Sequence, residues 1–402
     1  MNDFQNSCFT IAVLFVFIDM TNAQHRLRGV VVSELGEPLA YATISIKNSS
    51  VGTISNLDGK FTFSIPAMHV DDTLIISMLG YESLALKISN LDISQNLKLS
   101  LKEKIFELEE VTISVKGRTG EEILKEAFKK QKENSPQSDY MLELFVRELF
   151  YFNDSCYAVV ESAAELFGEK FPKPGFDIYL DQIRHAIDRQ PELPTSMTDY
   201  NPFRDFRGMI GSKGRILKPC GNCDYEIEKY TYIDNQPVVV ISLPYKLKGA
   251  NPSYFRYVIR LDNYAILKVE FETNVSFGNA FVHHHDSITS SLVSLKRVIE
   301  YNGLDGHYYL KSYRQQAKRE YRTNNDSLKY ETRHNFLVLA NSAQTQKVGE
   351  MKAKKANANL MDYQSTLFSQ SKDNNPVFWD NYNLVERTPA EDRLYNSLSK
   401  NQ

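Results

Sequence analysis

The chain has 402 residues, with 50 acidic and 47 basic side chains, so its net charge is -3. This balance gives no electrostatic reason to expect nucleic acid or an acidic membrane surface as the main partner. The hydrophobic fraction of 42% and the aromatic fraction of 12% exclude disorder of the whole chain. The length predicts two or three domains, each able to bury a core.

The N-terminal segment has features of an export signal. An apolar run from Phe9 to Ile18 is followed by Thr21-Asn22-Ala23. Such a run is shorter than the about 20 residues that span a bilayer, and it suits a signal-peptide core with cleavage after Ala23. The preceding segment carries Asp3 and no basic residue, which keeps a buried N-terminal strand as the alternative. We expect residues 1–23 to be a signal peptide and the mature chain to be exported, without a transmembrane segment, to the periplasm or outer membrane.

Residues 24–116 have the pattern of a β-sandwich. Short runs of β-branched and apolar residues recur between turn signals such as Asp58-Gly59. Apolar residues alternate at Ala42, Ile44 and Ile46, as expected for a strand that buries one face. About seven strands at this spacing predict a seven-stranded sandwich.

Three motifs in this region resemble a known family. They are G-x-P-L-x-x-A-x-I-x-I from Gly36, G-T-x-S-x-x-D-G-x-F from Gly52, and the Gly80-Tyr81 pair. In this order they resemble the carboxypeptidase-regulatory-like domain of Bacteroidetes envelope proteins, a transthyretin-like sandwich found on TonB-dependent receptors and other exported proteins. The motif residues are turn and core positions, so the resemblance implies no catalytic activity. The sequence after the domain lacks the receptor plug and barrel that the resemblance would otherwise imply.

Residues 117–138 are predicted to form a junction helix. Thr119 and Glu122 have the spacing of a capping box, and Ile123, Leu124 and Ala127 begin an apolar stripe. Pro136 ends the helical pattern. The helix would separate two domains.

Residues 139–340 are predicted to form an antiparallel β domain with a helical insertion. Most segments alternate as strands of a meander, whereas the spacing of Leu180, Ile183 and Ile187 predicts a short helix. The hairpin at residues 257–273 resembles those of lipoprotein-localisation factors, whose curved sheet surrounds an apolar cavity. That resemblance implies that Val269 and Phe271, together with Val258 and Leu267, face a lipid. A plain antiparallel sheet packed on helices is the alternative.

Residues 341–402 form a polar tail that contains one apolar segment. Residues 376–386 include Trp379 and Tyr382 and are too apolar to remain in solvent. We expect this segment to dock on the β domain, with contact to a protein or glycan partner as the alternative role of the two rings.

Two short motifs are candidate chemical sites. Cys220 and Cys223 form a C-x-x-C pair ahead of a predicted strand, which is compatible with a structural disulfide, with a free or metal-bound pair, or with redox chemistry. His283 to His285 are consecutive, and at most two imidazoles of a strand point to one face. We therefore expect no metal at the histidines.

The motif search favours binding over catalysis. The sequence contains no H-E-x-x-H, G-x-S-x-G, phosphate-binding G-x-x-x-x-G-K or G-x-G-x-x-G motif. We therefore predict a mainly β, non-catalytic envelope protein without a cofactor, which binds a protein or glycan partner. A periplasmic carrier of a lipid or acyl ligand and an unrecognised hydrolase are the alternatives.

Overall fold

The computed structural model describes residues 25–104, 117–172, 175–188, 201–211, 223–245, 253–274, 282–285, 288–323, 325, 327–355, 359–370 and 375–399. The predicted signal peptide and Cys220 lie outside the described residues. The fold is mainly β, as predicted, with an N-terminal sandwich followed by one large antiparallel sheet.

The N-terminal sandwich has seven strands in two sheets, which confirms the predicted architecture. One sheet has the order β4-β1-β7 and the other the order β3-β2-β5-β6; β1 and β7 are parallel. The strands are β1 His25–Ser33, β2 Thr43–Ile46, β3 Gly52–Ile54, β4 Lys60–Ile65, β5 Thr73–Ser77, β6 Leu84–Lys87 and β7 Asn96–Leu101. Their alternate side chains, including Leu27, Ile44, Phe63 and Ile76, are fully buried between the two sheets.

The predicted turn at Asp58-Gly59 requires its glycine. Gly59 has a φ of +73°, and a Cβ atom there would lie 2.5 Å from the carbonyl oxygen of Val31. Both features exclude a larger side chain without a shift of the backbone. The turn brings β4 back alongside β1.

The large sheet contains eleven strands, all paired antiparallel. Ten follow the order β10-β9-β8-β18-β17-β16-β14-β13-β12-β11, and β15 pairs with β16. The strands are β8 Tyr140–Phe152, β9 Ser155–Gly168, β10 Phe176–Ile187, β11 Glu226–Ile233, β12 Gln236–Tyr245, β13 Ser253–Arg260, β14 Ile266–Asn274, β15 Val282–His285, β16 Ile288–Leu304, β17 His307–Thr323 and β18 Leu328–Gln344. The pairing of β8 with β18 joins the first and last long strands of the sheet.

Six α-helices are described along the chain. They are α1 Gly120–Lys129, α2 Gln131–Asn134, α3 Phe203–Gly211, α4 Val348–Ala353, α5 Pro376–Asn381 and α6 Pro389–Ser399. The capping box of α1 is confirmed: the amide of Glu122 donates to Thr119 Oγ1 (3.3 Å), and the amide of Thr119 donates to Glu122 Oε2 (2.8 Å). Ile123, Leu124 and Ala127 of α1 pack in one cluster with β12, β13 and β14. The junction helix is therefore part of the core of the large sheet.

The helix predicted around Leu180 is wrong, since residues 176–187 form β10. The register of β10 against β9 shifts between Leu180 and Gln182, which makes Asp181 the extra residue of a β-bulge. Leu180 and Ile183 consequently lie in one cluster on one face of the strand. The bulge produces the three-residue apolar spacing that imitates a helix.

Helix α3 lies in a Gly- and Pro-rich part of the chain, away from the helix predicted around Leu180. Phe203, Phe206 and Met209 of α3 are buried against the large sheet. Met361 and Leu367 from residues 359–370 complete the same cluster. Phe203, Phe206 and Met209 have helical spacing, but the Gly and Pro residues around them are typical of a loop.

The two faces of the large sheet have different coverings. Val269, Ile299, Tyr313 and Val338 follow one another in register across β14, β16, β17 and β18, in the clusters that α1 and α3 cover. We call this the helix-covered face. The opposite, sandwich-covered face carries the sandwich and residues 375–399, which we call the C-terminal segment.

Candidate functional site

A cavity of about 420 Å³ lies between the sandwich, the sandwich-covered face of the sheet and the C-terminal segment. The sandwich supplies the roof, the strands supply the floor, and the C-terminal segment supplies one wall. Its lining includes Tyr41, Thr43, Asn56, Leu57, Ser77, Met78, Arg147, Val258, Lys268, Glu270, Lys296, Val298, Glu300, Lys311, Arg314, Gln315, Gln316, Asn335, Leu337, Val385, Glu386, Thr388 and Glu391. Three distant parts of the sequence thus contribute to one space.

The roof is held above the floor by contacts at both ends. At one end, Ser50 Oγ donates to the carbonyl oxygen of Ala343 (3.0 Å) and accepts from the Ala343 amide (2.9 Å). At the other end, the amide of Gly80 donates to the carbonyl oxygen of Tyr232 in β11 (2.9 Å). Hydrogen bonds to backbone groups at two separated points fix the height of the cavity.

Arg314 and Glu300 form the charged centre of the floor. Arg314 Nη2 lies 3.2 Å from Glu300 Oε2, and Ser312 Oγ donates to the same oxygen (2.7 Å). Burial alone would raise the pKa of Glu300, but Arg314, Lys311 and Lys268 outweigh it and lower the pKa to about 2. This carboxylate therefore stays ionised at any physiological pH.

The floor is tied to the roof through the same basic residues. The guanidinium of Arg314 lies 3.9 Å from the ring centroid of Tyr41, a cation–π contact. Lys311 Nζ donates to Thr43 Oγ1. Burial raises the pKa of the Tyr41 hydroxyl, so that this phenol remains neutral.

Two buried atoms of the floor have no hydrogen-bond partner among the described residues. They are Arg314 Nε, a donor, and Asn335 Oδ1, an acceptor. Arg314 is opposite Leu337 in the β17–β18 ladder, and Asn335 is opposite Gln316, so Arg314 and Asn335 are diagonal neighbours on one face. Both atoms are buried beneath the surface of the cavity, and the rest of the Arg314 guanidinium is paired with Glu300 and Tyr41.

The C-terminal segment is firmly docked at the cavity wall. Tyr382 Oη donates to the carbonyl oxygen of Leu144 (2.7 Å), and Asn341 Nδ2 donates to the carbonyl oxygen of Asn383 (2.8 Å). Asn383 Oδ1 accepts from the amide of Ser64 (2.7 Å), and its Nδ2 donates to the Ser64 carbonyl oxygen (3.2 Å). The segment therefore connects the sandwich to the sheet.

Trp379 and Tyr382 lie in this docked segment rather than at the surface. Trp379 is 3% exposed and Tyr382 is 8% exposed, in a cluster with Phe145, Leu339 and Ile54. The alternative role of these two rings, direct contact with a partner or glycan, does not fit their burial. The apolar composition of the segment reflects docking within the chain.

Val269 and Phe271 lie on the helix-covered face, in the cluster that also contains α1. Leu267 belongs instead to a cluster with Val240 and Val258 on the other face. The register shifts at Val258/Ile259, where Leu267 is the extra residue of a bulge, so Leu267 and Val269 do not share a face as the alternation predicted. Of the four residues of the predicted lipid cavity, Val258 lines the observed cavity.

The cysteine and histidine motifs are only partly described. Cys223 is disulfide-bonded, and its pairing with Cys220, which lies outside the described residues, stays a prediction. Cys156 is a free thiol. His283 to His285 lie on β15, and among the described residues there is no group of three or more His, Cys, Asp or Glu side chains able to hold a metal ion.

The charged residues of the floor were not predicted as a site. On β14, Lys268 and Glu270 alternate with Val269 and Phe271, and such alternation ordinarily indicates a solvent-facing side. The sequence nevertheless contained an indication of this site, because acidic and basic residues alternate on several neighbouring strands. Only the docking of the sandwich converts that polar face into a cavity.

Comparison with known proteins identifies the N-terminal domain. Residues 27–113 match the family model described as the CarboxypepD_reg-like domain, which confirms the predicted resemblance. The TonB-dependent receptor SusC of Bacteroides thetaiotaomicron is 29% identical over 103 residues, which are 26% of this chain and 10% of the receptor. The chain thus spans about a tenth of the length of the curated relative that it matches.

Solved structures give a more distant likeness. A putative outer membrane lipoprotein-sorting protein domain from Vibrio parahaemolyticus is 11% identical, with a TM-score of 0.25, and the match covers 59% of this chain and 100% of that one. A LolA superfamily protein from Nitrosomonas europaea is 13% identical, with a TM-score of 0.19, covering 56% of this chain and 94% of that one. TM-scores this low carry no argument about the function of the sheet.

Within the described part of the chain, no helix is long and apolar enough to cross a membrane.

Proposed function

We propose that this chain is a non-catalytic binding protein of the cell envelope and that its ligand occupies the cavity between the sandwich and the large sheet. The observation that carries the proposal is the convergence of the sandwich, the sheet and the C-terminal segment on one cavity of about 420 Å³. Ligand sites in proteins commonly have volumes of about 300–1,000 Å³ and lie between domains. Both the size and the position fit a binding site.

The N-terminal domain supports the location in the envelope. It is similar to a segment of SusC, which is named as a TonB-dependent receptor. The apolar run from Phe9 to Ile18 adds an expected export signal, and residues 1–23 lie outside the described residues. N-terminal sequencing of exported material tests this part: a mature chain that begins at Gln24 is expected, and one that begins at Met1 would contradict export by a cleaved signal.

The charge state of Glu300 fits a binding role for this residue. General acid–base catalysis requires a group whose pKa lies near the working pH. The pKa of Glu300 is lowered to about 2 by three basic neighbours, so this carboxylate does not exchange protons near neutral pH. In this proposal Glu300 fixes the polarity of the cavity and does not transfer a proton.

The lipid-carrier alternative places the ligand on the other face of the sheet. Val269 on that face is 1% exposed and packs with Leu124 of α1. An acyl chain there would have to displace α1, which is capped and buried. The geometry therefore favours the sandwich-covered face as the binding surface.

A pair of tryptophan substitutions tests the proposal. Leu57 lines the roof and is 54% exposed, so Leu57→Trp fills part of the cavity without replacing a core residue. Leu35 is 88% exposed on the same sandwich and is outside the cavity lining, which makes Leu35→Trp the matched control. Native mass spectrometry of full-length protein from the envelope should show a bound ligand in the wild type and in Leu35→Trp, and loss of it in Leu57→Trp. A ligand that all three proteins retain would place binding elsewhere.

A further inference from the structure

One face of the sandwich carries basic side chains and no acidic side chain on its strands. In the β4-β1-β7 sheet, apolar side chains at alternate positions fill the sandwich core, so the residues between them point outward. The outward residues include Arg28 of β1, Lys60 of β4 and Lys98 of β7, and Lys102 continues the alternation just beyond β7. All four are exposed, and none of the three strands contains Asp or Glu. We call the outward side of this sheet the basic face.

The basic residues of this face lie close together. Val30 is opposite Lys60 in β4 and opposite Lys98 in β7, so two ammonium groups flank one apolar residue. Arg28 is the diagonal neighbour of both lysines on the same face. Adjacent strands are about 4.8 Å apart, which places these charges within roughly one Debye length (about 8–10 Å) of one another. The three groups therefore repel one another.

No described residue neutralises this repulsion. The basic side chains of the face form no ion pair and no hydrogen bond with another described residue. By contrast, Lys125 Nζ of α1 lies 2.8 Å from Glu121, and Lys130 Nζ lies 2.8 Å from Glu133. The net charge of -3 for the whole chain conceals the local excess of positive charge. An anionic partner would relieve the repulsion, so the face is electrostatically complementary to such a partner.

The C-terminal segment borders the basic face at the β4 edge. Glu386 accepts from Thr62 Oγ1, and Asn383 Oδ1 accepts from the amide of Ser64 (2.7 Å), so the segment buries the later outward positions of β4. The open part of the face is consequently formed by β1, β7 and the beginning of β4. This part is a sheet surface rather than a groove, and it suits an extended partner.

The two most exposed large apolar side chains of the described residues lie in loops of the same sheet. Leu35, 88% exposed, follows β1, and Met68, 84% exposed, follows β4. Because β1 and β4 are antiparallel, these loops lie at opposite ends of the sheet. Basic residues combined with exposed apolar residues are typical of surfaces that bind anionic lipid, where apolar side chains enter the boundary between headgroups and acyl chains. An acidic protein surface would offer no such apolar layer.

We propose that the basic face docks on a bilayer that contains anionic phospholipid. Lipid phosphates lie against the basic side chains, and Leu35 and Met68 enter the boundary between headgroups and acyl chains. Thr43 and Ser77 of the cavity roof belong to the other sheet of the sandwich, so the docked protein keeps its cavity away from the lipid. The inference therefore does not depend on what the cavity binds.

Co-sedimentation with vesicles tests the charges of the face. The chain from Gln24 onward is used, so that the apolar run of the expected signal peptide does not contribute. Vesicles of pure phosphatidylcholine are compared with vesicles of equal parts phosphatidylcholine and phosphatidylglycerol. Lys60→Gln/Lys98→Gln should weaken binding to the mixed vesicles about thirtyfold. The control Lys125→Gln/Lys129→Gln removes the same charge from α1, at side chains 62% and 75% exposed, and should change binding less than about threefold.

A second pair of variants tests the apolar contacts. Leu35→Ser/Met68→Ser should weaken binding to the mixed vesicles about tenfold, because less apolar surface leaves water. Leu328→Ser/Leu360→Ser is the matched control, at side chains 50% and 44% exposed away from the sandwich, and should bind as wild type does. The melting temperatures of all four variants should equal that of wild type, since every substituted side chain is exposed.

Each outcome decides the question. Binding to the mixed vesicles but not to pure phosphatidylcholine, weakened by the two test pairs and retained by the two controls, supports the proposal. Absence of binding at low salt would overturn it, as would equal binding to both vesicles or equal weakening by the two lysine pairs. Polyglutamate is the second probe: if it binds the basic face and the vesicles do not, the partner is an acidic peptide and not a membrane. Vesicle binding that Leu35→Ser/Met68→Ser leaves unchanged would overturn the insertion of the two apolar side chains.

Discussion

Arg147 of β8 and Glu161 of β9 form a buried ion pair, with Arg147 Nη2 2.6 Å from Glu161 Oε1 and side-chain exposures of 4% and 0%. Glu161 also binds Arg184 of β10 (2.7 Å) and Arg387 of the C-terminal segment. One carboxylate therefore joins three guanidinium groups from the sheet and from the segment that walls the cavity. Glu391 lies 3.7 Å from Arg147 and Asp392 lies 3.6 Å from Arg387, and they add negative charge to the cluster. Arg147 further donates to the carbonyl oxygen of Val385, which lines the cavity.

We expect Glu161→Gln to destabilise the protein by about 3–5 kcal/mol, because it removes the nearest counter-charge of three largely buried guanidinium groups. Urea unfolding measures the change. Glu133→Gln is the control, since Glu133 is 66% exposed in its pair with Lys130 and should alter stability by less than about 1 kcal/mol. Equal, small effects of the two substitutions would show that the buried cluster does not stabilise the fold.

The same cluster should make the stability of the fold sensitive to acid. Burial raises the pKa of Glu161, but the three arginines outweigh it and hold the pKa well below the ordinary value of 4.5. A carboxylate whose pKa is lowered in the folded state stabilises the fold at pH values above its unfolded pKa. This stabilisation is lost as the pH falls from about 4.5 toward the folded pKa. Unfolding free energies between pH 6 and pH 3 should therefore decline more steeply in wild type than in Glu161→Gln. Parallel declines would contradict the assignment.

Glu148 should have the opposite pH dependence. Its side chain is 1% exposed, Oε1 has no hydrogen-bond partner among the described residues, and burial raises the pKa to about 8. The folded state holds a proton that the unfolded state releases, so stability should fall as the pH rises from about 4.5 to about 8, by up to about 1.4 kcal/mol per pH unit. Glu148→Gln should remove this slope and stabilise the protein at pH 8. A wild-type slope that persists in the variant would assign the effect to another group.

The single tryptophan of the chain reports the docking of the C-terminal segment. Trp379 is buried, so its fluorescence should be blue-shifted and poorly quenched by acrylamide. Tyr382→Ala removes a buried ring and the hydrogen bond to Leu144, and should shift the emission to the red and increase quenching. Tyr254→Ala, at a ring that is 51% exposed on β13, is the control and should leave the emission unchanged. Wild-type quenching equal to that of the unfolded chain would show that the segment is not docked.

Val269→Glu distinguishes a filled core from a lipid cavity. Val269 is 1% exposed beneath α1, so a carboxylate there would be buried and unpaired and should cost more than about 3 kcal/mol. Thermal melting should show a large loss of stability, whereas Glu272→Gln on the same strand, at a side chain 44% exposed, should not. A Val269→Glu protein that melts normally and loses a bound lipid would restore the carrier hypothesis.

The sequence predicted those elements that depend on contacts between residues close together in the chain. The turn at Gly59 and the capping box of Thr119 are set by contacts within a few residues, so the sequence sufficed for both. The same periodicity argument failed at Asp181 and Leu267, because a bulge inserts one residue and changes which side chains share a face. Nothing local in the sequence marks a bulge.

The candidate site could not be predicted from the sequence for a different reason. Its floor consists of alternating charged residues such as Lys268 and Glu300, which on an uncovered sheet would face solvent. Contacts between Ser50 and Ala343, and between Thr43 and Lys311, join positions separated by more than two hundred residues and place the sandwich above that floor. Burial of the polar face thus depends on domain docking, which residue spacing does not encode.

Hydrogen–deuterium exchange with and without bound ligand tests the central claim most directly, because it locates the ligand on one face of the sheet without a mutation. Exchange should become slower on ligand binding in residues 55–57 of the roof and 385–388 of the wall, which belong to different ends of the chain. The amides of α1 and of the turn between β13 and β14 should be unaffected. Slowing confined to α1 and that turn would place the ligand on the helix-covered face and contradict the account.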